Sequence, residues 1–260
     1  MRKKQLLSVL AEAWEMMLDY PLPRFLQSGT SGRPSATAVL LAIPFVGLIC
    51  GALPVIAAKI TGTFLPPFGN AVLFAALMTV LMLTMDSGRG FRLLPELVRT
   101  LLSGGKLSAS LPILAPRKLT EINDLGSTLC AFLTLGSWLT GFAYLGYAGA
   151  MMWAVPVMLM GTVAQAHLLS LRNLRGGLPF LAITERDRNK LWVVAVFLML
   201  FPAIAHPLAV LVTFGVCGGF ALAARHYAEE LYGGITAEMI TLAGMVAELA
   251  ALLCGVLLIR

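Results

Sequence analysis

Charged residues are scarce here: Asp, Glu, Lys and Arg fill 12% of 260 positions, about half the share of an ordinary soluble domain. That scarcity argues against a soluble globular enzyme. With 58% hydrophobic residues and a mean hydropathy of +0.86, it points to a chain whose main solvent is lipid. Cysteine is equally uninformative about bridges or metals. Cys50, Cys130, Cys217 and Cys254 all lie inside apolar runs with no C-x-x-C spacing, which excludes a disulfide framework and a zinc site. The three histidines, His167, His206 and His226, lack metal-ligand spacing and read as structural. The apolar runs do not alternate with period two, which argues against a transmembrane β-barrel. No small-residue cleavage site follows Arg2, Lys3 and Lys4, so no cleaved signal peptide is expected.

What the chain does have is long continuous apolar runs. They predict an all-α integral membrane protein with about seven transmembrane helices and an N-terminal amphipathic helix, forming a single polytopic membrane domain over 1–260. In the first segment, 1–24, Leu6, Leu7, Leu10, Trp14, Met17 and Leu18 recur at helical spacing against Lys3, Glu12, Glu15 and Asp19, a pattern suited to lying on a membrane or on the bundle. Pro21 and Pro23 end it. Spans are expected over 36–60, 68–85, 125–147, 149–169 and 239–259. The stretch 191–223 is too long for one ordinary span, and Pro202, His206 and Pro207 fall near its middle. It reads as two short spans, 191–205 and 207–223, with a re-entrant pair as the alternative.

Three polar segments remain between the spans: 86–124, 170–190 and 225–237. In the last, Arg225, His226, Glu229 and Glu230 are expected to continue the sixth helix into water, with Arg225 and Glu229 spaced for an i,i+4 pair, and Gly233 and Gly234 to end it. Within the first, Pro95 can open an interfacial helix running to Leu102. With the N-terminus inside, seventeen of the nineteen basic residues fall on the inner side, Lys59 and Arg260 being the exceptions. Such a bias is what positive-inside insertion predicts, so the net charge of +6 is explained by topology and not by nucleic acid. The chain is therefore expected in the cytoplasmic (inner) membrane of a prokaryote, with its N-terminus and polar segments cytoplasmic. Twelve of the thirteen acids lie on the same side, and Glu248 alone falls within a span, near mid-depth. An ionisable group there is costly unless paired or solvated, so Glu248 should face the bundle interior, orienting a substrate, holding an arginine or, protonated, bonding a neighbouring helix. Both signs of charge on one face suit a cytoplasmic site for a phosphorylated substrate.

Several segments, in order, resemble the cobalamin synthase family, integral-membrane enzymes that join adenosylcobinamide-GDP to α-ribazole. Tyr20-Pro21-Leu22-Pro23-Arg24 is similar to the family's L-P-V-P. Ile43-Pro44-Phe45-Val46-Gly47-Leu48-Ile49-Cys50-Gly51-Ala52-Leu53 is similar to its F-P-L-V-G-L-L-L-G-A-L. Leu231-Tyr232-Gly233-Gly234-Ile235-Thr236-Ala237-Glu238, followed by Ala247-Glu248-Leu249, resembles its L-G-G-x-T-G-D and the glutamate-bearing helix after it. The resemblance covers most of the chain. Its departures are equally definite: the acidic motif D-G-L-x-D-T-x-D-G is absent, and Met85-Asp86-Ser87-Gly88-Arg89-Gly90 offers only Asp86 for its first carboxylate. The later K-D-S-x-x-G-T is only echoed by Glu121-Ile122-Asn123-Asp124-Leu125-Gly126-Ser127-Thr128, and Met245 replaces one of two glutamates in the last helix.

The resemblance implies a membrane-embedded transferase that releases GMP, with adenosylcobinamide-GDP and α-ribazole as substrates and Mg2+ as cofactor. Asp86 and Asp124, each where a polar segment meets a span, are the candidate metal ligands, since Mg2+ is commonly held by one or two carboxylates with several waters retained. An N-cap or interfacial role is the alternative for both. Asp86 and Glu248 are the candidate catalytic residues. Arg172 and Arg175, ahead of Gly176 and Gly177, have a spacing able to grip a pyrophosphate, and Arg89 is of the same kind; all three also serve as topology markers. Glu238 joins them as a substrate-binding candidate. The loss of the acidic motif keeps open a catalytically impaired homologue that binds a corrinoid or acts as a scaffold. A small transporter coupled through Glu248 is a third reading, with no inverted repeat to support it. Homo-oligomerisation stays open.

Overall fold

A computed structural model describes residues 3–18, 34–85, 125–171 and 183–259, and these are helical almost throughout. The first helix, α1 (Lys3–Met17), turns its Val9 and Ala13 stripe, with Leu10, Trp14 and Met17, onto α2. Leu6 and Leu7, 57% and 46% exposed, extend the apolar pattern past the contact. Of the two sites expected for this helix, the side of the bundle is therefore the one it takes over Val9–Leu18. The 19–33 connector, including Pro21 and Pro23, lies outside the described residues.

Seven helices long and apolar enough to cross a membrane follow, so the chain is an all-α, multi-pass membrane protein. Ser35 caps α2 (Ala36–Thr61), its hydroxyl accepting from the Ala38 amide at 3.3 Å. Pro44 and Pro54 sit inside this helix, both buried against neighbours, where a transmembrane bundle tolerates proline. A tight uncharged turn returns the chain as α3 (Pro67–Met85), and the Thr61 hydroxyl donates to Asn70 Oδ1 at 2.9 Å across it. Next comes α4 (Leu125–Tyr147), which packs on α3 through an edge-on pair of Phe74 and Phe142 rings 6.0 Å apart. Gly149, at φ +75°, makes the turn into a short 3-10 segment (Met151–Trp153) and α5 (Ala154–Leu168).

The stretch expected as two short spans forms two full-length helices instead. α6 (Glu185–Ala205) starts six residues early, because Thr184 accepts from the Asp187 amide and draws Glu185–Lys190 into the first turns. α7 (Pro207–Tyr232) carries the apolar span on through Arg225, His226, Glu229 and Glu230, as expected, until Gly233 terminates it in the left-handed region at φ +65°. Part of each flanking polar segment is therefore helix, and both helices are long enough to span, against a re-entrant pair. The break at His206 falls where Pro202 and Pro207 predict it. Thr236 then caps the last helix, α8 (Ala237–Leu258), accepting from Met239 at 3.4 Å.

The centre of the bundle is α5. Some 83% of its span is buried within the protein, against 17% for α6. Its apolar character runs all round the helix, as befits a helix surrounded by α2, α6, α7 and α8. Close approach depends on glycine: a Cβ at Gly51 of α2 would meet Val155 Cα at 2.7 Å and Ala154 O at 2.8 Å, and one at Gly47 would strike Thr162 and Met158. The outer faces of α6 and α7 carry Val193, Phe197, Phe201, Ile204, Leu208 and Leu211, all at least 64% exposed, as lipid-facing residues should be.

Candidate functional site

The described helices sort polarity toward one end. The charge-poor end, which holds Lys59 in the last turn of α2, gathers the Gly62–Pro66 turn, Trp153, His206 and the end of α8: Trp153 and His206 rings stand 6.3 Å apart, Trp153 packs on Gly255 while donating from Nε1 to Ala251 O at 2.9 Å, and the Tyr144 hydroxyl reaches Ile259 O. At the opposite end lie the first turns of α6 and the last turns of α7, with ion pairs Arg188–Glu185 (3.0 Å), Lys190–Asp187 (2.8 Å) and Arg225–Glu229 (2.8 Å). Each is a surface pair within one helix, worth about 0–1 kcal/mol, so their weight is in placing charge and not in stability.

Between these ends sits Glu248. It is 8% exposed, with its side chain pressed on Gly161 of α5, and Cys50 of α2 lies within electrostatic reach. One turn away the arrangement is reciprocal, the Gln165 side chain of α5 lying over Gly244 of α8. Small residues at 161 and 244 thus make room for two large polar ones at 248 and 165, packed between antiparallel helices. The expectation that Glu248 faces the interior holds, and the sequence does not announce Gln165, Gly161 and Cys50 as its neighbours. A glycine opposite each polar residue is the local signal, legible only once the helix pairing is known.

A second polar cluster joins α5, α6 and α7 at the charged end. His167, 1% exposed, accepts from Trp192 Nε1 at Nδ1, 3.1 Å away, and the two rings meet edge-on at 5.4 Å; Trp192 in turn meets Phe214. Indole N–H is donor only, so the neutral imidazole carries its proton on Nε2. Among the described residues the buried Nε2 has no hydrogen-bond partner. Arg225 and Glu229 are within electrostatic reach of the ring. Sequence reading treats His167 as structural and Arg225 as one half of an i,i+4 pair. The pair is present, with Arg225 Nε and Nη2 both donating to Glu229 Oε1 at 3.1 and 2.8 Å, but no periodicity shows that it stands beside a buried histidine 58 positions earlier.

Asp86, Arg89, Asp124, Arg172 and Arg175 lie outside the described residues, as does the whole 86–124 segment, including Pro95 to Leu102 where a helix is expected. Glu238 falls in the first turn of α8, next to its Thr236 cap. Among the described residues no three His, Cys, Asp or Glu side chains come together as a metal site, and the ligands assigned to Mg2+, Asp86 and Asp124, are not among those residues. No protein-family model matches the chain, and no curated protein or solved structure matches it.

Proposed function

We propose that this membrane protein is a transferase of the cobalamin synthase type, joining adenosylcobinamide-GDP to α-ribazole and releasing GMP. The observation that carries the reading is the stretch from Gly233 to Glu248. In it Gly233 ends α7, Thr236 caps α8, Glu238 enters its first turn, and Glu248 turns inward against Gly161 three turns later. This is the stretch whose sequence resembles the family's glycine-rich turn and glutamate-bearing helix. A buried carboxylate beside small residues, below an end rich in both signs of charge, suits the orienting of a hydroxyl acceptor toward a phosphate.

In the reaction the hydroxyl oxygen of α-ribazole gives up its proton to water and forms a bond to the phosphorus attached to adenosylcobinamide, while the bond from that phosphorus to the GMP oxygen breaks and GMP departs with the electron pair. Asp86 and Glu248 are assigned to catalysis, and Arg89, Arg172, Arg175 and Glu238 to substrate. Mg2+, when bound, would supply positive charge to the phosphate oxygens, with Asp86 and Asp124 as its holders. The inner membrane of a prokaryote, with the charged end cytoplasmic, is the location that the distribution of Lys and Arg supports.

Purified protein supplied with both substrates and Mg2+ should form the corrinoid product and GMP, and Asp86→Ala and Glu248→Gln should each lower kcat by about a hundredfold or more. Absence of product from the unaltered protein rejects the reaction. The absent acidic motif favours one further reading, a homologue that binds the corrinoid without turning it over; binding of adenosylcobinamide-GDP with no GMP released would select it.

A further inference from the structure

We infer that Gly161 is a positioning residue for Glu248: the side chain it lacks is the notch in α5 that fixes where the carboxyl stands. The inference rests on the reading of Glu248 as catalytic and adds a residue to it. A Cβ built on Gly161 would lie 2.5 Å from Glu248 Oε1 and 2.8 Å from its Cδ, and would also strike its Cγ, so the three nearest atoms all belong to this one side chain. Any residue other than glycine would put an atom where the carboxyl now is. The obstacle is soft, because it is the far end of a side chain, unlike the Val155 and Ala154 backbone that faces Gly51. Gly161→Ala is therefore expected to fold with the carboxyl moved.

The same helix pair supplies its own control one turn away. Gly161 and Gln165 are neighbours along one face of α5, and Gly244 and Glu248 along one face of α8, so each helix offers the other one glycine and one long polar side chain. At Gly244 the atoms in the way are Gln165 Nε2, Cδ and Cγ. The two notches are alike in shape, but their occupants differ in freedom. Gln165 is half-buried and can swing its amide clear, whereas Glu248 is 8% exposed, so a displaced carboxyl must settle elsewhere inside the bundle. Displacement is what a reacting group tolerates least: a misplacement of about 1 Å can cost about a hundredfold in rate. Substrate held by the charged end would bind as before. A glycine that only let two helices approach would show no such selectivity, since alanine at 161 or at 244 loads the same packed surface.

The test uses the full chain in proteoliposomes, with thermal unfolding as the check on folding. Two readouts are taken on each variant: turnover of adenosylcobinamide-GDP with α-ribazole and Mg2+, and the rate at which dicyclohexylcarbodiimide, an apolar carboxyl reagent, modifies Glu248. Modification is followed by mass spectrometry, with Glu248→Gln as the blank. Gly161→Ala should lower kcat about a hundredfold, leave KM for adenosylcobinamide-GDP within about threefold, and change the rate of modification about fivefold or more. Gly244→Ala should leave kcat and modification within about threefold of the unaltered protein. Glu248→Asp keeps the charge and withdraws the carboxyl by one methylene; it serves if Gly161→Ala does not fold, and should change kcat and modification about tenfold. Equal effects of Gly161→Ala and Gly244→Ala overturn the inference, as does modification at the unaltered rate in Gly161→Ala or, in its place, in Glu248→Asp. A protein with no turnover, in which Gly161→Ala but not Gly244→Ala changes modification of Glu248, rejects the reaction and leaves the placing of the carboxyl by Gly161 standing.

Discussion

The inner helices α2, α5 and α8 and the outer pair α6 and α7 all belong to spans long and apolar enough to cross a membrane, yet they are held by different physics. The inner three approach backbone to backbone at Gly47 and Gly51, and at Gly161, Gly244 and Gly255 a large side chain of the neighbouring span lies over the glycine. The outer pair turns most of its surface to lipid, and at Gly215 and Gly219 of α7 a Cβ would meet nothing within 4 Å. In a bilayer lipid competes with protein for apolar surface, so hydrophobicity cannot gather helices; close van der Waals packing and interhelical hydrogen bonds do it. The inner glycines are thus the residues that make a bundle, and the outer ones are only tolerated.

The same substitution in the two regions breaks that comparison most sharply. Gly51→Ala drives a Cβ into the backbone of Val155 and Ala154, which cannot give as a side-chain tip can, and should destabilise by about 1–3 kcal/mol or more. Gly215→Ala meets open space and gains helix propensity, so it should be neutral or stabilising by up to about 1 kcal/mol. Thermal unfolding in detergent should separate the two, and equal melting temperatures would show that the inner contact is not tight. A smaller effect is expected at the caps. Thr236, 1% exposed at the start of α8, and Thr184 at the start of α6 both accept from the third amide of their helix. Thr236→Ala should cost about 1–2 kcal/mol, because no water replaces the buried bond, and Thr184→Ala about 0.5–1 kcal/mol. The ordering, measured by denaturant-induced unfolding, sharpens the contrast between inner and outer helices. Least of all should follow from Phe201→Leu on the lipid face of α6, within about 0.5 kcal/mol of the unaltered protein by the same measurement.

Much of the fold is legible in the chain because lipid imposes one rule on every residue in it. Apolar runs of about twenty positions must be helices, so α2, α3, α4 and α8 fall within two residues of their expected limits. The start of α6 is harder to read than the end of α7, where Gly233 is visible in the chain. Composition starts a span at the first apolar residue, whereas capping by Thr184 starts the helix itself several charged residues earlier. Similarly, the amphipathic pattern of α1 gives its apolar side but cannot say where α2 stops covering it, and so Leu6 and Leu7 are exposed while Val9 and Ala13 are buried.

For the site, a lone carboxyl in an apolar helix is a strong signal by its cost, and Glu248 is found inward as that cost requires. His167 gives no comparable signal. A histidine near the end of a span is unremarkable in one dimension, and its meaning comes from Trp192 and Arg225, which lie on two other helices.

By itself, then, the sequence determined that this protein lives in a membrane, how many times its helices can cross it, and that charge gathers at one end, because transfer free energy acts residue by residue and needs no knowledge of neighbours. Which helix is central, which glycines are contacts, and which aromatic ring meets the buried His167 were decided only by tertiary structure. Those properties belong to pairs of surfaces, and a pair exists only after the helices have chosen one another.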